Sequence, residues 1–319
     1  MSGLSVVVCT RNRPEWCRQV TECVAMQLQQ DDELIVVDQS DDDFTGEAIG
    51  HMQSRGRMRH LRSARRGLSA ARNEAMQAAV NDLLVFTDDD CLPADDWIER
   101  WREVWSGWNM VVGIAFGRVR LPPFDATQGY IGGFEPEDGI HDRTVFRGSS
   151  GAVGIGANVS VRRPLALAVG GFDEVLGSGA HFGAGEELDL AYRILRSGHL
   201  LAHTRAASVW HHGYRPNANA RTLVQRYRYG TAAAFAKHMR CGDTFGAAVL
   251  ARDVWTFTWQ IATQALHRRR PLGLRGLRAY LAGIGAGFIE PVDARSRLYV
   301  NRNRAPAPEN PAVAELTRI

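Results

Sequence analysis

The sequence predicts an α/β fold: a sheet of largely parallel strands flanked by helices, with a helical C-terminal part. Three observations predict it. Short uncharged runs rich in β-branched residues recur at Leu4–Cys9, Leu34–Val37 and Leu83–Phe86, and their unbroken apolar character marks strands covered on both faces. Segments of helical periodicity separate these runs, which is the order of a parallel β–α–β unit. Each run also ends in polar residues, at Thr10–Arg13, Asp38 and Asp88–Asp90. Charges are costly to bury, so these ends share one edge of the sheet, and in open α/β sheets ligands bind at that edge.

Taken in order, Leu4–Cys9 is the first strand and stops at Thr10-Arg11-Asn12-Arg13-Pro14. Pro14 suits a first helical turn, where its missing N–H would have no partner in any case. Trp16, Val20, Cys23 or Val24, and Leu28 then follow at helical spacing. Leu34–Val37 is the second strand, and a polar, Arg-rich connection leads from it to Arg65. A helix is predicted from Ser69, a candidate cap, to Met76, followed by the third strand. Asp95-Asp96-Trp97 opens a helix through Trp105, and Val111–Phe116 is a further strand. Residues 121–155, rich in Gly, Pro and acids, read as a long loop, and loops of that length are usually functional. Val159–Val161 is a strand, Leu165–Val169 a short helix, and 185–196 a helix with Leu188, Ala191, Tyr192 and Leu195 on its apolar face. Val209–His212 closes this region, residues 220–290 are mostly helical, and 301–319 read as a flexible tail.

Composition narrows the function. The chain of 319 residues suits one large domain or a main domain with an extension, and a net charge of +3 gives no argument for nucleic acid. Lys237 is the lone lysine, so no Gly-Lys-Ser/Thr exists and a P-loop nucleotide site is excluded. The five cysteines, Cys9, Cys17, Cys23, Cys91 and Cys241, form no C-x-x-C pair, which fits a reduced, cytoplasmic setting. The start of the chain lacks the basic and apolar regions of a signal peptide, and no apolar run reaches the ~18 residues of a membrane span. The Arg-rich stretch His267–Arg278 beside apolar helices fits either peripheral contact with the inner face of a membrane or a solvated helical face.

The three adjacent carboxylates Asp88, Asp89 and Asp90 repel one another, which a hard divalent cation would relieve; the alternative is a solvated acidic turn. Further motifs join them: Cys-Thr-Arg-Asn-Arg-Pro at 9–14, Val-Val-Asp at 36–38, Gly-Leu-Ser-Ala-Ala-Arg-Asn at 67–73, and Phe-Thr-Asp-Asp-Asp at 86–90. Gly-Ala-Asn at 156–158, Gly-Gly-Phe-Asp-Glu at 170–174, Gly-Glu-Glu-Leu-Asp-Leu at 185–190 and Val-Trp-His-His at 209–212 complete the series. In order and spacing these motifs resemble those of family-2 glycosyltransferases of the GT-A fold, from residue 4 to about 214.

The resemblance implies a GT-A fold, a Rossmann-like mixed sheet flanked by helices, over residues 1–215. Within it, about 1–115 would bind the nucleotide and about 116–215 the acceptor, with a helical extension at 216–300. It implies an inverting, metal-dependent transfer from a nucleotide-diphosphate sugar to a hydroxyl of a glycan, a lipid-linked sugar or a small molecule. Thr10, Arg11, Arg13, Asp38, Arg72, Asp88 and Asp89 would hold the nucleotide and its phosphates. Asp90 would ligate Mg²⁺ or Mn²⁺, joined by a late histidine, His211 or alternatively His212. Gly156, Asn158, Glu186 and Asp189 would face the donor sugar or the acceptor. Direct inversion needs one general base to take the acceptor proton. The family places it in a Glu-Asp pair at a helix start; here the pair is Glu186-Glu187, so Glu187 is the candidate base and Asp189 the alternative. The competing readings are a non-catalytic nucleotide-sugar binder on the same fold, and a zinc hydrolase using His203, His211, His212 and the aspartates. The second lacks an H-E-x-x-H spacing.

Overall fold

The computed structural model describes residues 3–147, 153–267 and 273–301. The first half alternates strands and helices: β1 (Leu4–Thr10), α1 (Pro14–Ala25), β2 (Glu33–Asp38), α2 (Phe44–Ile49), β3 (Arg57–Arg62), α3 (Leu68–Ala78), β4 (Leu83–Asp88), β5 (Cys91–Pro93), α4 (Trp97–Gly107) and β6 (Val112–Arg120). The predicted loop follows. It holds β7 (Gly129–Tyr130), β8 (Gly139–His141) and a 3₁₀ turn at Arg143–Arg147, so it is more structured than its composition suggests. Then come β9 (Asn158–Arg162), α5 (Arg163–Ala168), α6 (Glu186–Arg196), β10 (Leu200–His211) and β11 (Arg215–Pro216). The C-terminal part is α7 (Asn217–Arg240), α8 (Thr244–Leu266), α9 (Leu274–Ile289) and the small hairpin of β12 (Val292–Asp293) and β13 (Leu298–Tyr299). The predicted tail beyond Asn301 lies outside the described residues.

The main sheet runs β3-β2-β1-β4-β9-β6-β10-β5, with β8 also on β10. Strands β2, β1 and β4 are parallel, as the three apolar runs predict, and β3 adds parallel to β2. Antiparallel β9 then joins β4 to β6, and β10 continues parallel to β6, which makes the sheet mixed. Register sets the functional edge: Thr10 lies opposite Asp38, and Cys9 opposite Asp88. The three polar strand ends therefore meet, because all three chains run the same way.

Two elements fall where the sequence reads only as a polar connection. Strand β3 is an edge strand with arginines at 57, 59 and 62 and mostly part-exposed side chains. Charge on an edge blocks pairing with other chains, and it also hides the strand from an apolar search. Helix α2 has only six residues. Ser69 is not a cap: α3 starts from Gly67, whose φ of 103° suits glycine, while the Ser69 hydroxyl donates to the Leu176 carbonyl at 2.7 Å.

On one face of the sheet, α4 presents Trp97, Trp101 and Trp105 four residues apart, all buried. Their indole N–H groups need partners when buried. Trp97 and Trp101 both donate to the Asn158 side-chain oxygen, at 3.0 and 3.2 Å, and Trp105 donates to the Ser160 hydroxyl at 2.9 Å. The other face packs against α3, α6 and the C-terminal helices, with Phe86, Phe172, Tyr192 and Phe235 in its core. Helix α9 comes close to α7 because Gly283 has no side chain: a Cβ there would sit 2.2 Å from the Tyr229 carbonyl oxygen.

Candidate active site

The sheet edge opens into a cleft of about 600 Å³, within the range of small-molecule sites. Its floor is the end of β1 and the acidic run after β4. Thr10 is held there by its hydroxyl, which donates to Asp89 at 2.7 Å. Arg13 spans the acids, donating to Asp89 at 2.9 Å and to Asp90 at 3.1 Å. Burial pushes the Asp89 carboxyl up to about 6, against the pull of Arg13 and Thr10. Burial acts the same way on Asp90, but His211, Arg13 and Arg215 outweigh it and hold that carboxyl down at about 2. One run of acids thus contains a carboxylate ready to meet a cation and a neighbour that accepts protons more easily.

The end of β10 delivers His211. Its Nδ1 lies 2.6 Å from the Gly132 carbonyl oxygen and donates to it, which aims Nε2 at Asp90. That Nε2 atom sits 3.5 Å from an Asp90 oxygen. Gly213 makes room for the pair: a Cβ there would lie 2.5 Å from His211 Nε2 and 2.8 Å from Asp90 Oδ2. His212 turns away, its ring 5.6 Å from that of Trp16 on α1. Among the described residues, the group of three potential metal ligands is Asp90, Cys91 and His211. Burial pushes the Cys91 thiol well up, which keeps it protonated and leaves an oxygen and a nitrogen donor for a hard cation. His203 is not part of this group; its Nε2 meets the Val153 carbonyl at 2.8 Å. The zinc-hydrolase reading therefore loses a ligand it needs.

The opposite wall is the start of α6, entered through Gly185 at a φ of 95°. Glu186 and Glu187 both line the cleft, as does Asp90. Arg72 on α3 stands behind them, buried, donating to Asp88 and to the Gly156 carbonyl, each at 3.1 Å, with Glu186 at 3.6 Å. Gly156 permits this approach, since a Cβ would meet the guanidinium at 2.8 Å. Burial and then the charge of Glu187 push the Glu186 carboxyl up, with Arg72 opposing. The Oε2 atom of Glu187 is buried and has no hydrogen-bond partner. Buried oxygens of this kind are rare and ask for an explanation.

Three expected contacts are not where the sequence suggests. Asn158 does not reach the cleft: its oxygen takes both indole donors of α4, and its amide donates to the carbonyls of Arg118 at 2.9 Å and Ala207 at 3.0 Å. Every valence of its side chain goes to holding strands and helix together. Asp38 is wholly buried at the strand end, with Ser40 N–H at 2.9 Å, His60 at 3.0 Å and Arg62 at 2.9 Å around it, and it does not line the cleft. Asp189 faces inward. It pairs with Arg193 at 2.8 Å, Lys237 at 2.7 Å and His238 at 2.8 Å, which rules it out as the base or an acceptor contact. Arg11 lines the cleft and pairs with exposed Asp41 at 3.4 Å.

Several lining residues carry no motif. Gln39, just after β2, and Arg66 also line the cleft, and Arg215 follows β10, 4.0 Å from Asp90. Leu223, Arg226, Tyr227 and Thr231 of α7 complete the wall, so the helical extension helps to build the site.

The fold is that of GT-A glycosyltransferases. The mannosyltransferase PcManGT from Pyrobaculum calidifontis, solved with GDP-Man and Mn²⁺, aligns over 90% of this chain and 86% of its own, with a TM-score of 0.58 and 18% identity. S. aureus TarS 1-349 aligns over 73% of this chain and 65% of its own, with a TM-score of 0.51 and 12% identity. The chain belongs to the family described as Glycosyl transferase family 2, whose sequence model matches residues 5–166. A curated relative is the glucosyl-dolichyl phosphate glucuronosyltransferase of Haloferax volcanii, 28% identical over 180 residues, 53% of this chain and 56% of that protein. The chain thus spans about half the length of the curated relative it matches.

Proposed function

We propose that this protein moves a sugar from a nucleoside-diphosphate donor to an acceptor hydroxyl with inversion, using a divalent cation. The observation that carries the reading is Glu187. Its buried, unpartnered oxygen sits in the same cleft as the Asp90–His211 pair. An oxygen without a donor inside the free protein is free to accept one from a substrate. In the displacement, the acceptor oxygen forms the new bond to the anomeric carbon while the bond to the diphosphate breaks. Glu187 takes the acceptor proton, and the nucleoside diphosphate leaves with the bonding pair.

The donor set fits a hard cation. Asp90 is held ionised, His211 is oriented by Gly132, and Gly213 leaves space between them. Asp90 and His211 would hold Mg²⁺ or Mn²⁺, whose positive charge would offset the charge gathering on the departing diphosphate. The mannosyltransferase of the same fold, solved with GDP-Man and Mn²⁺, supports this choice. Arg13, Arg66 and Arg215 add fixed positive charge around the phosphates. Thr10 and Arg11 at the end of β1, with Asp88 and Asp89, form the nucleotide side, and Gly156 and Glu186 lie toward the sugar.

Glu187→Gln tests the base. Removing a general base costs about 10²–10⁴-fold in rate. Nucleotide-sugar affinity, read by calorimetry, is expected to stay within about threefold, because the substitution keeps the side chain's size. A variant that transfers sugar at the wild-type rate would remove Glu187 from the mechanism.

A further inference from the structure

The two C-terminal helices α8 and α9 expose what globular proteins hide. A surface helix ordinarily turns charged residues to water and apolar ones inward. Here α8 buries Asp253, bonded to the hydroxyl of Tyr280 on α9 at 2.8 Å, and points a row of apolar side chains outward. Trp255 is 67% exposed, Trp259 59% and Leu266 80%, at the spacing of one helix face. The two indoles stack on each other, 6.0 Å apart with planes 15° from parallel. On α9, Leu274, Leu281, Phe288 and Ile289 are likewise exposed. Isolated exposed apolar residues are ordinary; a row along two neighbouring helices marks an interaction face.

Charge identifies the partner. From Val254 to Ile289 the sequence has no Asp or Glu and five arginines, of which Arg275 and Arg278 lie among the described residues, both exposed on α9. A second copy of this chain on the same face would bring arginine against arginine. An acidic protein would satisfy the arginines but not two stacked indoles and a bare leucine row. Anionic lipid satisfies both, since indoles lie at the headgroup level and arginines reach phosphates while their stems stay apolar. No helix among the described residues is long and apolar enough to cross a membrane, so this mode is lying on the surface.

We propose that α8 and α9 form a docking face for the surface of an anionic lipid bilayer. Helix α7 packs beneath this face and also lines the cleft, so docking would present the cleft to acceptors at the bilayer surface. The docking claim does not depend on the donor chemistry.

Co-sedimentation of the full chain with vesicles tests it, comparing phosphatidylcholine alone with a mixture containing about 30% phosphatidylglycerol. The wild type is expected to bind the anionic vesicles, and to lose at least about tenfold in affinity when salt is raised from about 0.1 to 0.5 M. Trp255→Glu/Trp259→Glu is expected to cut binding by a similar factor, with circular dichroism and melting temperature unchanged because both side chains are exposed. Three results would overturn the proposal: no association of the wild type with anionic vesicles, equal association of the double variant, or light scattering showing a dimer that the double variant breaks.

Discussion

At Asp90 two arginines and a histidine converge: Arg13 at 3.1 Å, His211 at 3.5 Å and Arg215 at 4.0 Å. They keep one carboxylate of the run charged although it is nearly buried, while burial lets Asp89 rise. The division of labour among three adjacent identical residues comes from their neighbours alone. Gly213 is the least conspicuous member of this group and the easiest to test. Gly213→Ala would put a methyl 2.5 Å from His211 Nε2, so the histidine must move. The expected result is a roughly 10–100-fold weaker affinity for Mn²⁺ by calorimetry, as for other displaced ligand supports, with little change in melting temperature. Unchanged Mn²⁺ affinity would mean that His211 takes no part in holding the cation.

Residues also show what a sequence hides. Thr10, Arg13 and the aspartates were legible because polar groups ending apolar strands have one place to go. Asn158 and Asp189 carry the same polar signal and do a different job. The partners of Asn158 are two indoles on α4, and those of Asp189 include Lys237 and His238 on α7. Nothing local in the chain announces pairs so distant.

At the scale of elements, helix α6 carries Glu187 and is held from below by a wholly buried polar cluster. Lys237, the lone lysine, bridges Asp189 of α6 at 2.7 Å and Asp173 of the preceding segment. Arg193 and His238 complete the cluster. A buried pair broken on one side leaves an uncompensated charge, at a cost of about 3–5 kcal/mol. Lys237→Met is therefore expected to lose about that much in urea unfolding, and a loss under about 1 kcal/mol would show that the cluster does not hold α6 to α7. The same cluster predicts a pH response. Burial pushes the His238 imidazole down to about 4, with Asp189 opposing. The unfolded chain binds that proton near the ordinary value of about 6.5, so between about 6.5 and 4 the unfolded state holds more protons. Stability from this group is thus present above about 6.5 and lost as pH falls through that window, by on the order of 3 kcal/mol. Unfolding curves of His238→Gln should fall less steeply across the window than those of the wild type. Parallel curves would contradict the assignment.

Strand β3 and helix α7 explain why some elements were harder to see than others. Covered strands need unbroken apolar runs, which stand out. An edge strand needs only one covered face and gains from charge, so Arg57, Arg59 and Arg62 make β3 look like a connection. Helix α7 was legible as a helix, but its facing was not. Its Ala232–Ala236 stretch is buried against α9, while Tyr227 and Thr231 face the cleft.

At the scale of the whole molecule, the parallel strands gather one set of polar ends, β10, parallel to β6, brings the histidine, and α6 carries a carboxylate into the same cleft. One wall lies within the matched segment 5–166 and the other, at the start of α6, lies beyond it, and α7 of the C-terminal part also lines the cleft. On the proposed reading, a diphosphate would be clamped between the arginines and a cation, with the sugar presented toward Glu187. Calorimetry of the wild type with UDP, GDP, ADP and CDP, each with and without Mn²⁺, tests that claim most directly. The account predicts that at least one nucleotide binds, that Mn²⁺ tightens it at least about tenfold, and that Asp90→Asn abolishes the gain. Binding of no nucleotide under either condition, or binding equally tight without the ion, would contradict it.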